Sequence, residues 1–277
     1  LSATLRWEAG LNVTHFVLEP GSIRYEISAQ EKAAGVATIP GLTSETDYKA
    51  TLFNNSKIRG IANFTTGIDI GNNVVLTPAD DIFQAIEDAA SGDIILFDEG
   101  DYTAQVGRIT LKKPLTLRGL KPDFKPMLKV AFTIDAGADN VELIDLDLTG
   151  DVPAELVDVV SYTSPGNFNS LLIRGCNIHD YDRSFVRGPT TDGILRSLTI
   201  ENSIVTNILT NGGDFIDFRN GDVLNVNLID CTFNNCASGR DFIRLDASGT
   251  SNGNSVSNIL IDSCTIHACS NSSSRRL

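Results

Sequence analysis

No run of about eighteen apolar residues occurs in the 277-residue chain, so nothing in it is expected to cross a membrane as a helix. No leader opens it either, as expected of a mature or trimmed form, and secretion must be argued indirectly. Basic residues are scarce. There are 22 against 35 acidic ones, a formal charge of −13. Residues 1–67 are balanced in sign, so the whole excess lies in the remainder. Nucleic acid needs a basic face and is not an expected partner. No lysine follows Lys129. The five cysteines all come after residue 175, in odd number and with no zinc-site spacing, so neither a zinc module nor a small disulfide scaffold is indicated.

What is present is repetition. A phrase made of a polar start, alternating apolar positions, a polar break and a second apolar pair recurs at residues 140–149, 170–179, 197–206, 225–234 and 258–267. Strand-like units at this period, without helices between them, indicate a solenoid of stacked rungs. A further strand is expected in each rung, at Leu156–Val160, Ser184–Arg187, Asp214–Arg219 and Asp241–Asp246. Upstream, Thr77-Pro78-Ala79-Asp80 reads as a helix start and Ile82, Phe83, Ile86 and Ala90 as its apolar stripe. Such a helix would cover the open end of the stack. Residues 1–67 read as short alternating strands with Trp7 and Tyr48 in their core.

The segment ADDIFQAIEDAASGDIILFDEGDY and the rungs after it resemble right-handed parallel β-helices of the pectin-lyase type, including the chondroitinase B-like and alginate-lyase-like polysaccharide lyases. The stretch GLTSETDYKATL…NFTTG resembles the second half of a fibronectin type III domain and leaves room for a missing first strand. The expected fold is all-β: a fibronectin type III-like β-sandwich over 1–67, a linker over 68–76 and a right-handed parallel β-helix with a short capping helix over 77–277, continuing beyond that point. In organisation the chain resembles uncharacterised surface proteins of gut Bacteroidetes, which implies a secreted or cell-surface setting.

Stacked rungs place equivalent residues about 4.8 Å apart. Aligning Leu156, Phe185, Phe215 and Phe242 yields an outward column of alternating sign, Asp158, Arg187, Asp217 and Arg244, with Arg219 beside Asp246. Either this is a salt-bridge ladder on a solvated sheet or it is a polysaccharide groove. In the groove Arg187, Asp158, Asp246, Phe215 and Phe242 would contact sugar, and Arg219, Arg244 and Asp217 would carry any catalysis. Asp214 and Asp241, one rung apart, form the candidate calcium pair. Resemblance to the lyases implies a Lys–Arg pair, and no residue here matches the lysine. A polysaccharide-binding protein is therefore the favoured expectation, with a lyase acting on a uronic-acid glycan as the alternative.

His179 and His267 share a rung position roughly three rung spacings apart, too far to share a metal. Cys176, Cys231 and Cys264 form one column, expected as buried thiols, and Cys236 and Cys269 form another, the candidate disulfide.

Overall fold

A computed structural model describes residues 1–71, 73–151, 156–246 and 256–270. The chain divides into two compact units, Leu1–Gly71 and Asn72–Leu277.

In the first unit the strands are β1 (Ser2–Arg6), β2 (His15–Glu19), β3 (Ile23–Glu26), β4 (Val36–Pro40), β5 (Asp47–Asn54) and β6 (Lys57–Thr65). They form an antiparallel pair, β1-β4, and an antiparallel sheet of order β3-β2-β5-β6. Alternation along β5 buries Tyr48, Ala50 and Leu52 while Asp47 and Lys49 stay outside. The Thr43 N–H donates to the Tyr48 hydroxyl (3.1 Å), fastening the loop before β5 as expected of a corner tyrosine. Trp7 packs edge-on to Phe16 at 5.5 Å. One element was not anticipated. A short helix, α1 (Ala29–Ala34), is set by a capping box in which Ser28 and Glu31 satisfy each other's backbone N–H. Gly35, at φ 67°, ends it; a side chain there would strike the Trp7 carbonyl at 2.5 Å.

The second unit is a parallel β-helix of three faces. Its first face stacks Val75–Leu76, Ile94–Phe97, Leu115–Gly119, Asn140–Ile144, Gly166–Arg174, Gly193–Glu201, Asn225–Ile229 and Asn258–Asp262, every pairing parallel. The second face stacks Asp147–Thr149, Asn177–Tyr181, Ile204–Ile208, Thr232–Asn234 and Thr265–His267. The third stacks Val160–Tyr162, Val186–Arg187, Ile216–Phe218 and Ile243–Leu245. Two long strands, Asp101–Leu111 and Met127–Ile134, run along both of these faces and join them. Val75–Leu76, expected in the linker, thus belongs to the first face.

The polar break in each repeated phrase now has its cause. Asp145, Gly175, Asn202, Asp230 and Ser263 turn the chain from the first face to the second, all with φ between 47° and 64°. Small polar residues and glycine tolerate this left-handed conformation best. At Gly175 a Cβ would lie 2.3 Å from an Asp145 carboxylate oxygen, so a side chain there would have to displace that carboxylate. A second left-handed column, Asp180, Asn207, Asn235 and Ala268, leaves the second face. Its amides form a ladder, Asn235 to Asn207 (3.0 Å) and Asn207 to Asp180 (2.8 Å).

The helix before the first rungs spans Ile82–Asp88, and its N-cap is Asp81, which accepts the Gln84 N–H. The start at Thr77 is therefore corrected. The Asp80 carboxylate accepts both the N–H and the hydroxyl of Thr77 at 2.7 Å, closing a turn that leaves capping to the next residue. Ile82 and Ile86 are buried against the core, as the apolar stripe requires.

Candidate functional site

The third face begins at a corner. Extending the register of Val160, Val186, Ile216 and Ile243 back by two residues aligns Asp158, Ser184, Asp214 and Asp241. Backbone bonds from Val159 to Ser184 and from Phe215 to Asp241 tie these rungs together. Asp158, 1 % exposed, accepts from Arg183 Nε (2.8 Å) and Nη2, from the Ser161 hydroxyl (3.1 Å) and from the Ser184 N–H (3.2 Å). Asp214, fully buried, accepts from Arg219 Nη2 (2.8 Å), Arg244 Nη1 (3.4 Å) and the Asp241 N–H (3.0 Å). Asp217 accepts from Arg219 Nε (2.9 Å) and the Asp214 N–H (3.2 Å). Each buried carboxylate thus satisfies a backbone N–H at the corner and anchors a guanidinium. A charge taken out of water at this depth needs both.

The arginines emerge from this buried layer. The side chains of Arg183, Arg219 and Arg244 are each about a third exposed, at 30 %, 33 % and 30 %. Hydrogen bonding to Asp158 raises the Arg183 pKa, and hydrogen bonding to Asp246 raises that of Arg244. The same bond holds Asp246 below the usual carboxylate range. Arg187 is half-buried and, among the described residues, makes no ion pair. Its rung neighbours in strict register are Ser161 and Asp217.

Several expectations change. The alternating column opens with Ser161 rather than Asp158, because Val159, not Leu156, occupies the place next to Phe185. The alignment slipped by three residues where a loop carries its own buried leucine. From Arg187 through Asp217 to Arg244 the column is in register as expected. Asp217 does not face solvent; it is 2 % exposed beneath Arg219. Asp158 is likewise sealed under Arg183 and presents nothing to a ligand. Phe215 and Phe242, expected against sugar, are fully buried core rings stacked at 4.6 Å, with Phe185 on the other side of Phe215 at 5.0 Å. Aromatic rings at the corner fill the space between the second and third faces, where Phe233 meets Phe215 edge-on at 5.6 Å.

In the candidate calcium pair Asp214–Asp241, the Asp214 carboxylate is already engaged within the protein. The oxygens of Asp214 are taken by two guanidiniums and an N–H, and among the described residues no three His, Cys, Asp or Glu side chains are grouped to hold a metal ion. Arg219, Arg244, Arg187 and Asp246 remain on the accessible part of the strip.

Sequence reasoning passed over Arg183. Its signal was positional: Arg183-Ser184-Phe185 occupies the corner that Gly213-Asp214-Phe215 occupies one rung later. It also passed over the surroundings of His179, which lies between Asp180 (2.6 Å) and Asp147 (3.0 Å) rather than free at a turn. His267, in the equivalent place, meets Asn234 (2.9 Å). All five cysteines are free thiols, Cys176, Cys231 and Cys236 buried and Cys264 and Cys269 half-buried.

Fold and strip together define a parallel β-helix protein with a cluster of partly exposed arginines on one face. Residues 100–237 match a family described as a domain of unknown function (DUF4957). The matched span holds Asp158, Arg183, Arg187, Asp214, Asp217 and Arg219 and ends before Arg244. No curated protein matches the chain.

Proposed function

We propose that the β-helix unit is a secreted or cell-surface module that binds acidic polysaccharide along its third face. One observation carries this: Arg187 projects, without an ion-pair partner among the described residues, from a row whose other guanidiniums are already oriented by buried carboxylates. Guanidiniums carried on neighbouring rungs, those of Arg187, Arg219 and Arg244, suit a polymer that carries carboxylates or sulfates along its length. Because Asp158, Asp214 and Asp217 are satisfied within the protein, the surface presented to a ligand is mainly guanidinium edge and aliphatic stem, with Asp246 the one exposed carboxylate paired to Arg244. Resemblance of the first unit to fibronectin type III modules, and of the whole layout to surface proteins of gut Bacteroidetes, supports the setting.

Binding is favoured over the lyase alternative by the state of the carboxylates. General acid or base work needs a group poised near the working pH. Asp158, Asp214 and Asp217 are instead buried, their oxygens engaged by arginines, and present nothing to a substrate, and Asp246 is held low by Arg244.

Titration calorimetry with polygalacturonate, alginate and chondroitin sulfate, against neutral glucan and galactomannan, tests the proposal. Acidic polymers are expected to bind and to weaken with added salt. A charge-assisted contact is worth about 1.5–3 kcal/mol, so Arg187→Ala should cost roughly tenfold or more in affinity. Wild-type affinity in that variant, or equal binding of neutral polymers, would sink the proposal.

A further inference from the structure

The five cysteines sort into two pairs and one remainder. On the second face Thr232 pairs with Thr265 and Asn234 with His267. Extending that register outward at both ends sets Cys231 beside Cys264 and Cys236 beside Cys269. Backbone bonds hold both ends in place: the Thr265 N–H donates to the Cys231 carbonyl (2.8 Å), the Asn235 N–H to the His267 carbonyl (3.0 Å) and the Ser270 N–H to the Ala237 carbonyl (2.9 Å). Each of these four cysteines directly follows a left-handed corner residue, Asp230, Asn235, Ser263 or Ala268. The turn aims the side chain inward, so Cys231 and Cys236 are buried in the core and Cys264 and Cys269 pack against it.

Position leaves one way to pair them. Four cysteines allow three connectivities. Within a rung, however, the two cysteines stand at opposite ends of a strand, Thr232–Asn234 or Thr265–His267. At about 3.3 Å per residue that separation exceeds the ~7 Å between Cα atoms that a disulfide tolerates, whereas neighbours on adjacent rungs, about 4.8 Å apart, lie inside the range. The sulfurs agree. Cys269 Sγ lies 3.8 Å from the Phe233 carbonyl, on the rung of Cys236. The Cys236 thiol hydrogen-bonds that of Cys269, and a second thiol–thiol hydrogen bond joins Cys231 and Cys264. Cys176 stands apart in the same column as Cys231. Ser203 occupies the rung between them, its hydroxyl accepting the Cys176 N–H (3.1 Å), and two rung spacings, roughly 10 Å, put Cys176 out of reach.

We propose that Cys231–Cys264 and Cys236–Cys269 are two redox-active pairs, which a small-molecule disulfide converts into two cross-links that staple one rung to the next at both ends of its second-face strand. Cys269 begins the second pair: it is half-buried and the hydrogen bond from Cys236 favours its thiolate. The Cys269 thiolate attacks one sulfur of the oxidant, the oxidant's S–S bond breaks, and one thiolate leaves from a mixed disulfide at Cys269. Cys236 gives up its proton and attacks the Cys269 sulfur, expelling the second thiolate. The protein pair loses two electrons and two protons, and the oxidant becomes two thiols. Cys264, the less buried partner, opens the same sequence toward Cys231. The pairing rests on the register of two adjacent rungs and on nothing outside them.

The full chain with its five thiols would be exposed to oxidised glutathione, both folded and while refolding from urea, then denatured and counted for thiols. The count should fall to one, at Cys176. Peptide mapping after cleavage at Phe233 and Ala268, which separates the two cysteines of each rung, should recover Cys231 joined to Cys264 and Cys236 joined to Cys269. Cys231→Ser and Cys236→Ser should each retain only the other cross-link. Urea unfolding of the β-helix should shift to higher denaturant on oxidation and return with dithiothreitol, since a cross-link restricts the unfolded chain. Mapping of the wild-type chain keeps the test decisive if a variant folds poorly. Five thiols persisting after refolding in the oxidant, stable glutathione adducts in place of cross-links, or a cross-link to Cys176 would overturn the proposal.

Discussion

Phe215→Ala would remove the middle ring of a three-ring stack, between Phe185 at 5.0 Å and Phe242 at 4.6 Å, and would also strip the edge contact with Phe233 at 5.6 Å. The side chain is fully buried, so the cost combines lost transfer energy with a cavity that the flanking rungs cannot close. Buried phenylalanine truncations cost about 3–5 kcal/mol, and the stacked surroundings place this one toward the upper end. That is a large fraction of the roughly 5–15 kcal/mol that holds a typical domain folded. In a solenoid each rung contacts only its neighbours, so the damage should concentrate in the rungs carrying Phe185, Phe215 and Phe242. Urea unfolding followed by far-ultraviolet circular dichroism should show the loss in the β-helix, and hydrogen exchange should locate it. Trp7 emission should report an unchanged transition for the sandwich. A stability loss under about 1 kcal/mol with a selective fall in glycan affinity would refute the argument, since that is how a ligand-contacting ring behaves.

Asp214→Asn should destabilise the β-helix by about 3–5 kcal/mol, because it breaks a buried pairing and leaves Arg219 and Arg244 without their shared acceptor; chemical unfolding measures it. Burial alone would push the His179 pKa down, but hydrogen bonds and charge from Asp180 and Asp147 outweigh it and raise the pKa above 6.5. A raised pKa contributes stability that is complete below 6.5 and lost as pH rises through the folded value. Unfolding free energies should therefore fall over that window in the wild type and stay flatter in His179→Gln. Unreduced, denatured protein should titrate five thiols. In the native state Cys269 should be alkylated before Cys231, because the hydrogen bond from the Cys236 thiol lowers its pKa, whereas burial pushes Cys231 up to about 11.

The solenoid was legible because its cause is local and repeated. Each rung must turn at a left-handed residue, and a polar break at Asp145, Asn202 or Asp230 announces that turn wherever the chain is read. The capping box of α1 was equally legible in Ser28 and Glu31 and was passed over. The candidate site was legible only in part. Arg187, Asp217 and Arg244 could be aligned because a phenylalanine precedes each strand at constant spacing. Asp158 could not, because Leu156 mimics that phenylalanine in a loop of different length. Direction was harder still. Strict alternation would have turned Asp217 outward, but the corner before a short strand lets a carboxylate fold back beneath its neighbours and bond the Asp214 N–H.

By itself the sequence determined the spacing of the five repeated rungs, the all-β class and the acid excess carried by the second unit. Those properties follow from periodicity and composition, which need no partner residue to be defined. Only the tertiary structure decided which carboxylates are buried and which arginine has no carboxylate beneath it. These depend on loop lengths and on contacts between residues roughly thirty positions apart, set when one rung closes over the next.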